Sequence, residues 1–274
     1  MDETIKLPHI KFKPTNVRKI DFHPSEIDDS LTPEESKIWA RKYQKSNKLH
    51  DGSAILMFDD KIVMGFDFLY NNEKLIIPEI NPVTIFYSNA VMCNRLLDSN
   101  RNRLIKNSSR VKNLANSNVN PNDFGSFFQV AVNMIINLQA TIESLANRII
   151  PEDYPFLDIN GETFEPSIAH KINTTLPELK GEKFKTKHGK QNNHLRRLIE
   201  IRNEIIHLKP AGDKNSAYKE VYRRLINFKY FETLQAVKTF VNFYENELIE
   251  ECTCQKEHFY NTQVVPELMK QFNY

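Results

Sequence analysis

The chain is poor in the residues that build several familiar classes of protein. Its 274 residues include only three Cys, seven Gly and one Trp. A small, odd number of Cys provides no disulfide framework and is typical of a reducing compartment. So few Gly argue against Gly-rich nucleotide-binding loops and against a turn-dense β fold. No run approaches the roughly 20 apolar residues that span a bilayer, and the N-terminus has no apolar export segment. We therefore expect a cytoplasmic protein that does not enter the membrane.

The chain also lacks an excess of charge of either sign. It contains 37 Lys and Arg against 35 Asp and Glu, which gives a formal net charge of +2. This charge is too small to indicate nucleic-acid binding, so local clusters of basic residues must carry that inference. Hydrophobic residues make up 40% and aromatic residues 11% of the chain, as in globular proteins. The length allows one large domain or two modest ones.

Residues 1–106 predict a small α+β module at the N-terminal end. Residues 53–58 and 61–69 are separated by an acidic pair and predict a β-hairpin, because apolar residues alternate along the second arm. Residues 75–77 predict a third strand that ends at Pro78, and residues 83–97 predict a helix. Residues 107–123 are rich in Asn and Ser and predict a linker.

Residues 124–250 predict a helical bundle, and residues 251–274 a C-terminal tail. Apolar residues recur at helical spacing from Phe124 to Ile150, from His194 to about Lys209 and from Ser216 to Glu250. The last of these is long for one helix, so a break near Asn227 is expected. The predicted fold class is therefore mainly α, with a helical bundle after a small α+β module.

The most informative stretch is the helix predicted over residues 194–210. At about 100° per residue, its Leu and Ile side chains form one broad apolar face. Arg202 projects near the middle of this face, where an unpaired guanidinium is costly and normally has a partner or a function. Asn203 and His207 lie four residues apart and share another face. Pro210 disfavours helix at Lys209, which places His207 in the last turn.

The pattern Arg202-Asn203-x3-His207 resembles the Arg-x4-His motif of the HEPN superfamily of all-helical domains. The resemblance implies a metal-independent endoribonuclease, a homodimer with a composite active site and, in prokaryotes, a toxin or anti-phage defence effector. For such a reaction, His207 is expected to act as acid or base and Arg202 to stabilise the phosphate. Asn203 is expected to orient His207 or the scissile phosphate. An antitoxin or another regulatory protein is the partner that the family suggests.

A second match lies about 60 residues upstream of Arg202, on the helix predicted over residues 124–150. Glu143 and Asn147 are separated by four residues and resemble the acidic and polar residues of the first long HEPN helix. The resemblance implies that they support the Arg/His helix. Glu143 has a second interpretation as an ion-pair partner that makes Arg202 tolerable on an apolar face.

The insertion between these helices, residues 151–193, contains a Lys-rich segment at 180–190 that predicts a mobile loop. Phe184 lies among the lysines and is a candidate to stack on an RNA base. The alternative is a loop that only increases solubility. The candidate RNA-binding residues are Lys183, Lys185, Lys187, Lys190 and Arg196.

No cofactor motif is present, and a metal site is not expected. Cys252-x-Cys254-x3-His258 has an unusual spacing and no evident fourth zinc ligand. Two other functions remain open from sequence. One is a non-catalytic HEPN-like module that binds RNA, a nucleotide or a protein, and the other is an unrelated helical protein in which the motif is a coincidence.

Overall fold

A computed structural model describes residues 9–15, 17–19, 38, 53–58, 61–109, 120–208 and 218–252. The fold is mainly helical with a small antiparallel sheet, in agreement with the predicted class. The chain divides into two compact units, one comprising Phe12–Asn81 and the other Met1–Lys11 with Pro82–Tyr274. Most of the predicted linker and tail, residues 110–119 and 253–274, lie outside the described residues. Within the described part of the chain, no helix combines the length and apolar character needed to cross a bilayer.

The sheet is built around one long strand. The strands are β1 (Val17–Lys19), β2 (Ser53–Phe58), β3 (Lys61–Tyr70) and β4 (Glu73–Pro78). β3 pairs antiparallel with β1, β2 and β4. Asn71 and Asn72 both have positive φ, 48° and 65°, as a tight β3–β4 hairpin requires. The predicted hairpin and third strand are therefore confirmed.

Two long helices begin the helical unit. α1 (Pro82–Asn107) packs along α2 (Pro121–Ile149). α2 begins where the side chain of Asn120 accepts the backbone N–H of Asn122, with Pro121 in the first turn. It ends just before Pro151, as predicted. α1 extends well beyond the predicted end at residue 97.

The boundary between the units precedes α1, whereas the sequence placed this helix in the N-terminal module. Val83 and Ala90 are fully buried in the helical core. The hydroxyl of Tyr87 donates to the Leu234 carbonyl at 3.3 Å. α1 therefore belongs to the helical unit, because its buried face contributes to the core of the bundle.

The remaining helices follow an insertion of short elements. These are α3 (Ile168–His170), a π-helix (Lys171–Thr175), α4 (Leu176–Lys180), α5 (Phe184–Lys187), α6 (Gly189–Ile206), α7 (Lys219–Ile226) and α8 (Tyr230–Tyr244). The break between α7 and α8 confirms the one predicted near Asn227. Across this break the Tyr230 hydroxyl donates to the Leu225 carbonyl at 2.7 Å.

The core of the helical unit lies between α2, α6 and α8. Each of these helices contributes Leu, Ile or Val side chains with 0% exposure, among them Leu138, Leu195, Leu198, Ile201 and Val237. Burying one such side chain stabilises the fold by about 1.5–3 kcal/mol. α6 is thus held firmly along one side, which fixes the direction of its remaining side chains.

Candidate functional site

The surface of α6 divides into regions with different environments. Leu195, Leu198 and Ile201 are completely buried against the bundle. Arg197 and Asn193 are exposed on another side of the helix. Asn203 and His207 of the Arg-x4-His motif lie on a third surface between these two sides, and Arg202 lies where that surface meets the buried side. The helix therefore presents the motif beside the core and not within it.

Arg202 lies at the edge of the buried face in the C-terminal half of α6. It is half-buried, and its Nη1 donates to Oδ1 of Asn203 at 3.3 Å. The prediction that Arg202 lies near the middle of the apolar face is wrong for this half of the helix, because that projection counted Ile206 as a core residue. Ile206 is 47% exposed. The buried face in this half of the helix is therefore formed by Ile201 and Ile205, which lie on the opposite side of Arg202 from Ile206.

His207 caps the C-terminal end of α6. Its backbone N–H donates to the Asn203 carbonyl at 3.0 Å, and its side chain is exposed. α6 ends at Ile206, which is slightly earlier than the predicted end near Lys209. Asn203 thus contacts both partners of the motif, the Arg202 guanidinium through its side chain and the His207 backbone through its carbonyl.

The four residues at the C-terminal end of α6 form one surface, here called the open face: Arg202, Asn203, Ile206 and His207. Arg202 and His207 project about 140° apart around the helix, and the other two project between them. Asn203 and His207 are exposed, and nearly half of the Ile206 side chain is exposed. The open face therefore combines a cation, an imidazole and an uncovered apolar side chain.

Along the N-terminal half of α6, the same side of the helix is covered by the insertion. A groove of about 850 Å³ lies between the two. The side chains that line it are Ala169, Ile172, Asn173, Pro177, Lys183, Phe184, Lys185, Thr186, Asn192, Leu195, Arg196, Ile199 and Glu200. This groove was not expected from the sequence, because the insertion has no apolar periodicity that predicts where it packs.

The Lys-rich segment that encloses the groove packs against the bundle, contrary to the prediction of a mobile loop. Phe184 is 2% exposed. Its ring stacks on His188 at 5.0 Å and packs against Phe240 and Phe243 at 5.1 and 5.4 Å. Phe184 anchors the segment to α8 and is unavailable for stacking on a base, so that suggestion is wrong.

The candidate RNA-binding residues separate into two sets. Lys183, Lys185 and Arg196 line the groove. Lys187 instead forms an ion pair with Glu182 at 2.8 Å, and Lys190 is exposed at the start of α6. Arg196 lies 3.7 Å from Glu200, which also lines the groove. The groove therefore has three cationic side chains and one anionic side chain.

Asn147 and Glu143 lie on α2 on the side of the insertion. Oδ1 of Asn147 accepts a hydrogen bond from Nζ of Lys171 at 2.8 Å. Glu143 is half-buried and, within the described residues, forms no ion pair with Arg202. The interpretation of Glu143 as the ion-pair partner of Arg202 is therefore wrong. The structure places Arg202 in hydrogen-bond contact with Asn203, places His207 one turn after Asn203, and gives Asn147 a structural contact in the insertion.

The end of α6 is also tied to α7 through a residue that the sequence did not single out. Arg224 forms an ion pair with Glu204, and its Nη2 lies 4.0 Å from Glu200. These contacts hold α7 beside the C-terminal half of α6 on the side away from Arg202. Asn203 and His207 remain exposed beside them.

Among the described residues, no group of three His, Cys, Asp or Glu side chains is arranged to hold a metal ion. Cys254 and His258 of the Cys-x-Cys-x3-His pattern lie outside those residues. Comparisons of the chain with protein-family models, with curated proteins and with solved structures find no match.

Proposed function

We propose that the chain is a metal-independent endoribonuclease of the HEPN type. The observation that supports this most is the open face, which presents a guanidinium and an imidazole on an exposed surface of a rigidly packed helix. The proposal assigns catalysis to Arg202, Asn203 and His207. It requires RNA as the substrate, because the attacking group is the 2′-hydroxyl.

The chemistry is an internal transfer of the phosphodiester. A neutral imidazole of His207 takes the proton of the 2′-hydroxyl as the 2′-oxygen bonds to phosphorus. The Arg202 guanidinium donates to the non-bridging oxygens as negative charge develops on them. A second, protonated imidazole gives its proton to the 5′-oxygen as the P–O5′ bond breaks. The products are a 2′,3′-cyclic phosphate and a 5′-hydroxyl end.

The need for two imidazoles implies a homodimer. Within the described residues, His207 is the one histidine on the open face of a protomer. A two-fold axis beside this face brings a second copy of the same residue to the phosphodiester. Ile206, 47% exposed on a single chain, then becomes buried in the interface. The open face and the requirements of the reaction together support a composite site.

Asn203 has a positioning role within this proposal. Its side-chain oxygen accepts from Arg202, and its carbonyl fixes the first residue after the helix. Both contacts limit where the guanidinium and the imidazole can point. Loss of the amide is therefore expected to reduce catalysis less than loss of either catalytic side chain.

The family resemblance suggests a prokaryotic toxin or anti-phage defence effector, held in check by an antitoxin or another regulatory protein. The groove favours a second candidate function, a non-catalytic module that binds RNA or a nucleotide. The two functions differ in whether substitution of His207 changes the RNA itself or only its binding.

The test compares RNA cleavage by the purified protein with cleavage by matched variants. His207→Ala is expected to lower the cleavage rate by about 10²–10⁴-fold, as removal of a general acid or base does. Arg202→Ala is expected to lose about 10²–10³-fold, as for removal of one donor to a developing oxyanion. Arg197→Ala and Asn193→Ala, on α6 but outside the open face, serve as controls and should retain activity. Cleavage at the wild-type rate by either open-face variant contradicts the assignment.

A further inference from the structure

The groove beside the open face has the features of a ligand site. Its volume of about 850 Å³ lies within the range of roughly 300–1,000 Å³ for pockets that bind small molecules. Apolar side chains, including Ile172, Pro177 and Ile199, form much of its wall. Asn173, Thr186 and Asn192 add a few hydrogen-bonding groups. This mixture suits a flat, partly polar ring such as a nucleobase.

The charges around the groove favour an anionic ligand. Lys183 and Lys185 form no ion pair within the described residues, whereas Arg196 is balanced in part by Glu200. Two lysines are thus available to a phosphate. A carboxylate on the same wall disfavours an anion at that end, so the phosphate is expected near α5 and not near Glu200.

The backbone of the insertion gives a third, independent indication. Residues 171–175 form a π-helix, a rare distortion that is frequent at functional sites. Ile172 and Asn173 from this turn line the groove. The side chain of Asn173 donates to the Ala169 carbonyl at 2.8 Å, which leaves its amide oxygen as an acceptor toward a ligand.

The groove and the open face lie on the same side of α6. Asn192, Arg196, Asn203 and His207 project within about 60° of one another around the helix. Arg196 and His207 are separated by eleven residues, or about 16 Å along the axis. A single strand that passes through the groove therefore continues onto the open face after a few nucleotides.

We infer that the groove binds one nucleotide of a single-stranded RNA, with its base against the apolar wall and a phosphate on Lys183 and Lys185. This inference rests on the proposed function, since it makes the groove a binding site for the RNA whose phosphodiester lies on the open face. The groove then selects single-stranded substrate and sets its position before cleavage.

The test measures binding of a fluorescent, 2′-O-methyl-substituted RNA oligonucleotide, which has no free 2′-hydroxyl and cannot be cleaved. The groove variant is Lys183→Gln with Lys185→Gln, and Thr186→Trp tests the same groove by filling it. The matched control is Lys106→Gln with Lys229→Gln, which removes the same charge from two exposed positions outside the groove and the open face.

Loss of the one phosphate contact that the two lysines share is expected to reduce the slope of log K against log salt by about 0.7, the contribution of each neutralised phosphate of a single strand. Raising the salt from 50 to 200 mM should therefore weaken binding of the groove variant about 2.6-fold less than it weakens binding of the wild type. Thr186→Trp is expected to weaken binding tenfold or more. The control pair should match the wild type in salt slope.

An equal salt slope in the groove pair and the control pair overturns the inference, as does wild-type affinity in Thr186→Trp. The inference is also overturned if the groove variants weaken binding of a mononucleotide but not of the oligonucleotide. That result assigns the groove to a free nucleotide. The proposed nuclease is tested separately by cleavage of unmodified RNA. If the groove variants weaken RNA binding but the wild type does not cleave RNA, the groove is an RNA-binding site and the nuclease proposal is wrong. If the wild type cleaves RNA but the groove variants bind it normally, the nuclease proposal stands and the groove proposal is wrong.

Discussion

The composite site predicts an unusual response to mixing active and inactive subunits. One protomer offers a single His207 on its open face within the described residues, but the reaction needs one imidazole as base and another as acid. Arg202 and His207 also project about 140° apart, so a single helix does not surround a phosphate. A dimer with one His207→Ala subunit should therefore be inactive.

The magnitude follows from random pairing. An equimolar mixture of wild-type and His207→Ala subunits forms wild-type, mixed and variant dimers in the ratio of about 1:2:1. If only wild-type dimers cleave, activity falls to about one quarter of that of the same total concentration of wild type. If each protomer works alone, activity falls to about one half.

The assay exchanges subunits by dilution and reconcentration, then measures initial cleavage rates over a series of mixing ratios. Activity that falls with the square of the wild-type fraction supports the composite site. Activity that falls linearly refutes it. Ile206→Glu, which places a charge in the proposed interface, provides the control, because it should yield an inactive monomer with the stability of the wild-type protomer.

Two further predictions concern the scaffold. Phe184→Ala is expected to lower the free energy of unfolding by about 3–5 kcal/mol, because it leaves a cavity beside Phe240; urea denaturation measures this, and a change below about 1 kcal/mol would show that the ring is not an anchor. Burial raises the pKa of both Tyr87 and Tyr230 above the ordinary value of 10.0, so their contribution to stability is complete below about pH 10 and is lost as the pH rises above it. Each buried Tyr should lower the free energy of unfolding by about 1.4 kcal/mol per pH unit above pH 10. Urea denaturation midpoints at pH 9 and 11 test this. A Tyr87→Phe variant whose stability depends on pH as strongly as that of the wild type would contradict it.

The sequence predicts the parts of the fold in which local pattern and burial agree. Leu195, Leu198 and Ile201 follow helical spacing and are fully buried. The hairpin of β2 and β3 was predicted from alternation along β3, and the alternation identifies the type of element correctly. It does not identify the buried side, because Phe66 and Phe68 are 43% and 48% exposed whereas Val63 is 6% exposed.

The sequence does not predict the insertion, because its packing depends on single residues and not on a period. Phe184 stands alone among lysines, so nothing in the local pattern shows that it fills a space beside α8. The groove depends on that anchor and was therefore missed as well. The presence of one aromatic residue in a polar segment is the one feature from which a buried anchor could have been inferred.

The position of Arg202 shows a different limit. Helical projection gave the correct order of residues around α6 but treated every Ile as buried. Ile206 is 47% exposed, and this one side chain moves Arg202 from the middle of the apolar face to its edge at the C-terminal end of the helix. Which apolar residue remains uncovered depends on the neighbouring helices, and no single-helix pattern contains that information.

The most direct test of the central claim is incubation of the purified protein with total RNA in the presence of a chelator, followed by analysis of the new ends. A metal-independent reaction through the 2′-hydroxyl predicts cleavage that persists in chelator and leaves 2′,3′-cyclic phosphate and 5′-hydroxyl ends, with the activity lost in His207→Ala and Arg202→Ala. Cleavage that requires a metal ion, yields 5′-phosphate ends or continues at the wild-type rate in either variant would contradict the claim.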